Sequence, residues 1–258
     1  EEMVFVLVDA TSGFAGSMFA SNAVAGDYLA YVALDIVGHV DSNYRTLAAR
    51  EHRSIAGHSM GANGAFDLAI AYPEVFGAIA AMGPSADFAV APTYLDEFFQ
   101  KNPDKLDEPT IVRSAEGRQA LLPPQSKGNV DVNLLYAYAA ALTPNPEKPP
   151  YYVELPVRYP GAEIVPEVWD RWLDHDLVSK IEHHGEKLKD TKIFVDIGVG
   201  PTTLMKESHD IAHLQAALKV AGLAYTFVES PGDHLSHLRE RIPAVLKFLS
   251  APDAYGTE

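Results

Sequence analysis

Short apolar runs alternate with helix-like patterns at both ends of the chain, and this alternation restricts the folds that the sequence can adopt. Residues 3–9 form an apolar, β-branched run typical of a strand buried on both faces. Similar runs predict strands at 52–56, 76–82, 193–197 and 224–229, and helical spacing predicts helices at 27–41, 61–72, 204–221 and 238–249. Such an alternation predicts the α/β class, with a mainly parallel sheet covered by helices on both faces.

The stretch from about 87 to 190 differs from the rest. Prolines are concentrated at 121–124 and 143–150, and both tryptophans, Trp169 and Trp172, lie in this stretch. It is too aromatic for a disordered linker, so we predict a cap-like insertion of short helices and ordered loops within a single domain spanning 1–258. The tryptophans either line an acyl or aromatic pocket or pack the core of the insertion, and the sequence leaves both open.

Composition excludes several function classes. The net charge of −15 disfavours binding to nucleic acids and anionic membranes. The absence of cysteine excludes disulfides, thiolate metal sites and a cysteine nucleophile. No apolar run approaches the roughly 20 residues that cross a bilayer, and no signal peptide is visible. The compartment stays open, because a cytoplasmic enzyme and a secreted one whose signal peptide is absent from this chain would look alike.

Gly57-His58-Ser59-Met60-Gly61 fits the G-x-S-x-G nucleophile elbow. The motif follows a predicted strand and opens a predicted helix, so Ser59 would sit in a strained turn with its hydroxyl exposed. The two glycines are expected to keep the neighbouring backbone from colliding. The Met60 N–H, at the start of the helix, would face a substrate oxyanion. His58 is expected to pack beside the site.

A histidine lies in the loop between the last predicted strand and the last predicted helix. The loop reads Ser230-Pro231-Gly232-Asp233-His234. A general base belongs at this place in the chain, after the nucleophile. Ser59 and His234 therefore form a candidate nucleophile–base pair, in which His234 accepts the Ser59 proton.

At these residues the chain resembles the esterase D-like branch of the α/β hydrolases, which includes feruloyl and acetyl-xylan esterases, S-formylglutathione hydrolases and mycolyltransferase-like proteins. The matching stretches are 6–10, 43–47, 55–66, 72–76, 231–234 and 246–250. The resemblance implies an α/β-hydrolase fold and a serine enzyme that cleaves esters or thioesters without a metal or organic cofactor. It also implies that Ser59 is the nucleophile, His234 the base and the Met60 N–H one oxyanion donor.

The chain departs from the family at the triad acid. Family members carry it in a pattern like D-x-G-x-x-D, of which Asp196 and Gly198 match, whereas the acid position falls on Pro201. The substitute that we favour is Glu207, the first acid downstream, although a solvated helix residue would look the same.

Two other acids are also near predicted site positions. Asp87 follows the strand after the nucleophile helix and is an alternative triad acid. Asp233 adjoins His234 but is expected to point elsewhere.

A second departure lies at the front, where family members have further strands and a loop that supplies a second oxyanion N–H. We expect those strands to be missing from this chain. Either the chain is truncated, or a partner supplies the missing piece, or the site is incomplete. Loss of one such donor typically costs about 3 kcal/mol of transition-state stabilisation. The sheet edge exposed in this way would also favour a homo-oligomer.

Two other function classes remain open. A non-catalytic ligand-binding protein of the same fold is compatible with the two departures. A metal-dependent hydrolase would use His209 and His213, which share a helix face but lack the Glu and third ligand of a zincin. For the esterase, the expected substrate is a small-molecule or carbohydrate-linked ester.

Overall fold

The computed structural model describes residues 3–12, 16–88, 111–113, 119–121, 130–149, 151–158, 163–199 and 207–250, and it describes their side chains except at 111–113, 119–121, 130–133 and 207–210. The strands, in chain order, are β1 (Ser21–Asn22), β2 (Gly26–Asp27), β3 (Ser54–His58), β4 (Ala78–Met82), β5 (Ile111–Arg113), β6 (Gln119–Leu121), β7 (Val157–Arg158), β8 (Glu163–Ile164), β9 (Lys192–Gly198) and β10 (Tyr225–Ser230).

The α-helices, in chain order, are α1 (Tyr28–Ala30), α2 (Val37–Asn43), α3 (Met60–Ala71), α4 (Val130–Leu142), α5 (Pro166–Leu173), α6 (Leu177–His184), α7 (Glu207–Val220) and α8 (Leu238–Ser250). A π-helical stretch (Tyr31–Ile36) joins α1 to α2, and short 3-10 turns span Arg50–His52 and Gly185–Leu188. No helix in the described part of the chain is both long and apolar enough to cross a membrane.

Among the described residues, four strands form the central sheet, in the order β10-β9-β4-β3, and every neighbouring pair is parallel. Successive side chains of a strand point to opposite faces. On one face Ile79 and Val195 pack in a core with residues of α3, α6 and α7. On the other face Ala80 and Phe194 pack against Phe248 of α8. The predicted parallel sheet with helices on both faces is therefore confirmed.

The predicted elements of this sheet lie close to the observed ones. The strand predicted at 52–56 begins later, at Ser54, because Arg50–His52 form a 3-10 turn. Of the helix predicted at 204–221, residues 204–206 lie outside the described residues. Gly222 follows α7 with φ +67°, a backbone conformation that favours glycine in a helix C-cap.

The strand predicted at 3–9 is wrong, because these residues have no regular structure. Their apolar side chains are largely exposed, with Leu7 97% and Phe5 60% accessible. The apolar pattern suits a buried strand, but a strand also needs a neighbour for its backbone hydrogen bonds. Within the described residues, β3 is the end strand of the sheet and segment 3–9 does not pair with it. Residues 4–7 instead line a groove of about 530 Å³ together with Tyr31, Ile36, Val40 and Tyr44.

The chain divides into two compact units. The first contains 1–7, 29–87 and 176–258, and the second contains 8–28 and 88–175. The second unit therefore ends before α6, whereas the predicted insertion extends to about residue 190. A single domain with an insertion at about 87–190 stays a prediction.

Trp169 and Trp172 pack in the core of the second unit. They are 7% and 5% exposed, and their rings stack with centroids 5.8 Å apart. The Trp172 indole N–H donates to Thr143 Oγ1 at 3.1 Å, so its one polar atom is also satisfied. Of the two interpretations that the sequence left open, the structure favours core packing.

The ion pairs of Glu154 are expected to make the stability of the second unit depend on pH in the acidic range. Hydrogen bonds from Lys148 and Arg171 lower the pKa of Glu154 from 4.5 to about 2. A carboxyl whose pKa is lowered by folding stabilises the folded state at neutral pH, and this contribution is lost as the pH falls from about 4.5 to about 2.

We expect Glu154→Gln to lower the free energy of unfolding by about 1 kcal/mol at neutral pH, since partly exposed ion pairs contribute little more. Below pH 2 the variant and the parent should have equal stability, which urea unfolding across this pH range would measure. Glu163→Gln is the matched control, because Glu163 is 72% exposed and lies 3.8 Å from its partner Arg158. Equal effects of the two substitutions would contradict the prediction.

Candidate active site

Ser59 lies in the turn between β3 and α3, in a backbone conformation that non-glycine residues rarely adopt. Its φ is 56° and its ψ is −117°, and it occupies the N-cap position of α3. The surroundings hold this conformation, because the Ser59 N–H donates to the Met82 carbonyl at 2.9 Å and the Ser59 carbonyl accepts from the Ala62 N–H at 2.9 Å. Such strain typically costs 1–3 kcal/mol and is concentrated at functional sites.

The two glycines of the motif have different steric roles. A Cβ on Gly57 would lie 2.1 Å from the carbonyl carbon and oxygen of Gly61, closer than any real contact. A Cβ on Gly61 would meet nothing within 4 Å. The expected collision therefore applies to Gly57 alone, and Gly61 contributes by the close passage of its backbone.

Met60 is the first residue of α3. The N–H groups of a first helical turn have no carbonyl within the helix to bind, and they lie at the positive end of the helix dipole. The Met60 N–H belongs to this first turn, and its role as an oxyanion donor stays a prediction.

His234 lies in the loop between β10 and α8, beside the elbow. The His58 ring is centred 4.7 Å from the His234 ring. His58 Nε2 lies 2.7 Å from the His234 carbonyl oxygen, which makes Nε2 the donor, because a carbonyl only accepts. Since His58 directly precedes Ser59, the structure brings the two candidate residues into one region.

Gly83, which directly follows β4, is a site residue that sequence reasoning missed. Its φ is +57°, and a Cβ there would lie 3.0 Å from the buried His234 Nδ1. Its N–H donates to the Asp196 carbonyl at 2.7 Å. Glycine is therefore needed both for the turn and for the approach of His234.

A buried ion pair also contacts the histidine loop, and sequence reasoning missed it too. Arg241 Nε donates to Asp196 Oδ2 at 2.7 Å, and the two side chains are 1% and 2% exposed. Ser230 Oγ donates to the other carboxylate oxygen of Asp196. Arg241 Nη1 donates to the Asp233 carbonyl at 3.1 Å, on the peptide bond that precedes His234.

A model of the "Putative esterase" family matches residues 15–237. The chain belongs to this esterase family. No curated protein matches the sequence.

Solved structures share the fold of this esterase-family chain. A ferulic acid esterase is 14% identical with a TM-score of 0.52, over 91% of this chain and 63% of that chain. An S-formylglutathione hydrolase from Staphylococcus aureus is 14% identical with a TM-score of 0.50, over 90% and 67% of the two chains. MPT51 from Mycobacterium tuberculosis is 12% identical with a TM-score of 0.50, over 91% and 71%. These likenesses show the α/β-hydrolase-like fold, and the chain spans less than two thirds of the ferulic acid esterase.

The favoured triad acid of this esterase-family chain remains a prediction. Glu207 is the first residue of α7, but its side chain lies outside the described residues. Pro201, at the acid position of the family pattern, also lies outside them.

The two other acidic candidates bind other groups. Asp87 Oδ2 pairs with His213 Nδ1. Asp233 Oδ1 accepts from the N–H groups of Leu235 at 3.0 Å and Ser236 at 2.9 Å, so this carboxylate caps the turn of its own loop. The expectation that Asp233 points away from His234 stays a prediction.

The two helical histidines give no metal site in the described structure. The His209 side chain lies outside the described residues, and His213 pairs with Asp87. Among the residues that are described, no group of three His, Asp or Glu side chains could hold a metal ion.

Proposed function

We propose that this chain is a serine hydrolase that cleaves carboxylic esters or thioesters through an acyl-enzyme on Ser59. Membership of the esterase family supports ester hydrolysis in general. The observation that carries the finer proposal is the strained Ser59 backbone at a strand-to-helix turn, with φ 56°. A binding protein has no need for a serine held in this way.

In the acylation step Ser59 Oγ attacks the ester carbonyl carbon while His234 accepts the Ser59 proton. The oxygen of the tetrahedral intermediate takes up negative charge, which the Met60 N–H and the dipole of α3 stabilise. The intermediate collapses when the bond to the leaving alcohol or thiol breaks. His234 returns the proton to that leaving group, and the acyl group remains on Ser59.

Deacylation repeats these steps with water. His234 accepts a proton from water, which attacks the acyl carbon and releases the carboxylic acid, and the proton returns to Ser59 Oγ. No metal or organic cofactor is needed. We propose Glu207 as the carboxylate that orients His234 and stabilises its cation.

We propose a small-molecule or carbohydrate-linked ester as the substrate. The net charge of −15 disfavours nucleic acids and anionic membranes as partners. The fold is shared with a ferulic acid esterase, which is compatible with an ester of this class.

A fluorophosphonate probe tests the proposal, because it forms an adduct only with an activated serine. We expect mass spectrometry to find one adduct per chain, on the peptide that contains Ser59. His234→Gln should slow labelling by about 1,000-fold, since the base is lost. Ser54→Ala is the matched control, because Ser54 is an exposed serine at the start of β3, the strand that leads to Ser59. This variant should be labelled like the parent.

Absence of an adduct on protein that is folded by circular dichroism would contradict the proposal. It would favour a non-catalytic ligand-binding protein of the same fold.

A further inference from the structure

We propose that Arg241 is a positioning residue that holds the loop carrying His234 in its working place. Asp196 is its anchor in the sheet. The effect that we expect on catalysis rests on the proposed function, whereas the effect that we expect on the loop does not.

The first observation is the contact between Arg241 and the loop. Residues 231–235 belong to no helix, strand or hydrogen-bonded turn, so side-chain contacts help to determine their path. Arg241 Nη1 donates to the Asp233 carbonyl at 3.1 Å. This carbonyl and the His234 N–H belong to one planar peptide unit, so the bond also orients the backbone of His234.

The second observation is that Arg241 is itself fixed. Its Nε donates to Asp196 Oδ2 at 2.7 Å, and neither side chain is more than 2% exposed. Ser230 Oγ binds the other oxygen of this carboxylate, so the anchor has a single orientation. Burial of two charges costs desolvation energy that their attraction barely offsets, so the stability of the fold is a weak reason for this pair.

The third observation is a close approach that only glycine permits. A Cβ on Gly198 would lie 2.5 Å from the Asp233 carbonyl oxygen and 2.7 Å from that of Gly232. The end of β9 therefore both anchors Arg241, through Asp196, and leaves room for the loop. His58, at the end of β3, also donates to the His234 carbonyl at 2.7 Å. The carbonyls of Asp233 and His234 are therefore held by side chains from α8 and β3 respectively.

Arg241→Lys tests the proposal with little change in charge. A lysine keeps its charge beside Asp196, but its single nitrogen cannot reproduce the fork of guanidinium donors to Asp196 and the Asp233 carbonyl. We expect kcat for ester hydrolysis to fall by about 10–100-fold, with KM within about twofold, since a displacement near 1 Å costs about this much.

A double-mutant cycle separates positioning from a general structural role. In a His234→Gln background, Arg241→Lys should lower the remaining rate by less than about twofold, because the group that it positions is gone. Equal losses in the two backgrounds would overturn the proposal, as would an unchanged kcat in the single variant.

Amide hydrogen exchange measures the loop directly, independently of activity. We expect exchange at 232–237 to accelerate by about tenfold in Arg241→Lys. The control is Arg239→Lys, the same substitution at an exposed position of the same helix. Unchanged exchange in the loop of Arg241→Lys would overturn the proposal. A parent protein without esterase activity would instead refute the proposed function, and exchange would still decide on positioning.

If Arg241→Lys does not fold, a second variant tests the same proposal. Asp196→Asn/Arg241→Met removes both buried charges and keeps similar volumes, which buried pairs often tolerate. The same acceleration of exchange at 232–237 is expected, and its absence would count against the proposal.

Discussion

Ser59→Ala is expected to lower kcat/KM for ester hydrolysis by about 1,000-fold or more, because the attacking oxygen is lost while substrate binding and the oxyanion donor remain. The loss should lie in kcat, since the substitution removes an interaction made only in the transition state. Hydrolysis of a p-nitrophenyl ester at neutral pH measures both parameters. Folding should be preserved, because alanine is smaller than serine and the bonds that hold this turn use the backbone of Ser59.

Ser54→Ala serves as the control for the kinetic measurement as well, and its kcat/KM should match that of the parent. If Ser59→Ala retained the activity of the parent, the nucleophile would be another group. The acyl-enzyme mechanism proposed for Ser59 would then be wrong.

Gly57→Ala is expected to lower the free energy of unfolding by about 3 kcal/mol, the upper end of the usual range for overpacking. The added Cβ would lie 2.1 Å from the carbonyl atoms of Gly61, which are backbone atoms and cannot rotate away. The turn itself must therefore shift. The resulting displacement of Ser59 should also lower kcat by about 100-fold.

Gly61→Ala is the matched control, because a Cβ there meets nothing within 4 Å. Since alanine is the better helix former, its free energy of unfolding should equal or exceed that of the parent by up to about 1 kcal/mol. Equilibrium unfolding in urea compares the three proteins. Equal stability of the Gly57→Ala and Gly61→Ala variants would show that the backbone of the elbow yields at little cost.

The strands and helices of the central sheet were predictable because their signals are local. An apolar run such as 193–197 predicts a buried strand wherever it lies in a chain, and apolar residues at helical spacing predict α3 and α8 in the same way. The strand predicted at 3–9 failed because a strand also needs a neighbour. Whether a neighbour is present depends on distant parts of the chain, which the pattern of one segment does not contain.

The candidate site divides in a similar way. Ser59 and His234 stand in short motifs that the sequence displays directly. Arg241 and Gly83 belong to no recognisable sequence motif. For Arg241, however, helical spacing indicated a buried position. Arg241 stands four and seven positions before Val245 and Phe248, and that spacing places it on the buried face of α8.

By itself, the sequence determined the parallel α/β sheet, the G-x-S-x-G turn at Ser59 and the order of Ser59 and His234 along the chain. These features depend on residue types at short separations, where steric rules and hydrophobic periodicity act. Only the tertiary structure decided that Arg241, Asp196 and His58 hold the loop of His234. The contact of Arg241 with Asp196 joins residues 45 positions apart, and that of His58 with His234 joins residues 176 positions apart. These partners become neighbours only when the strands of the sheet are in register.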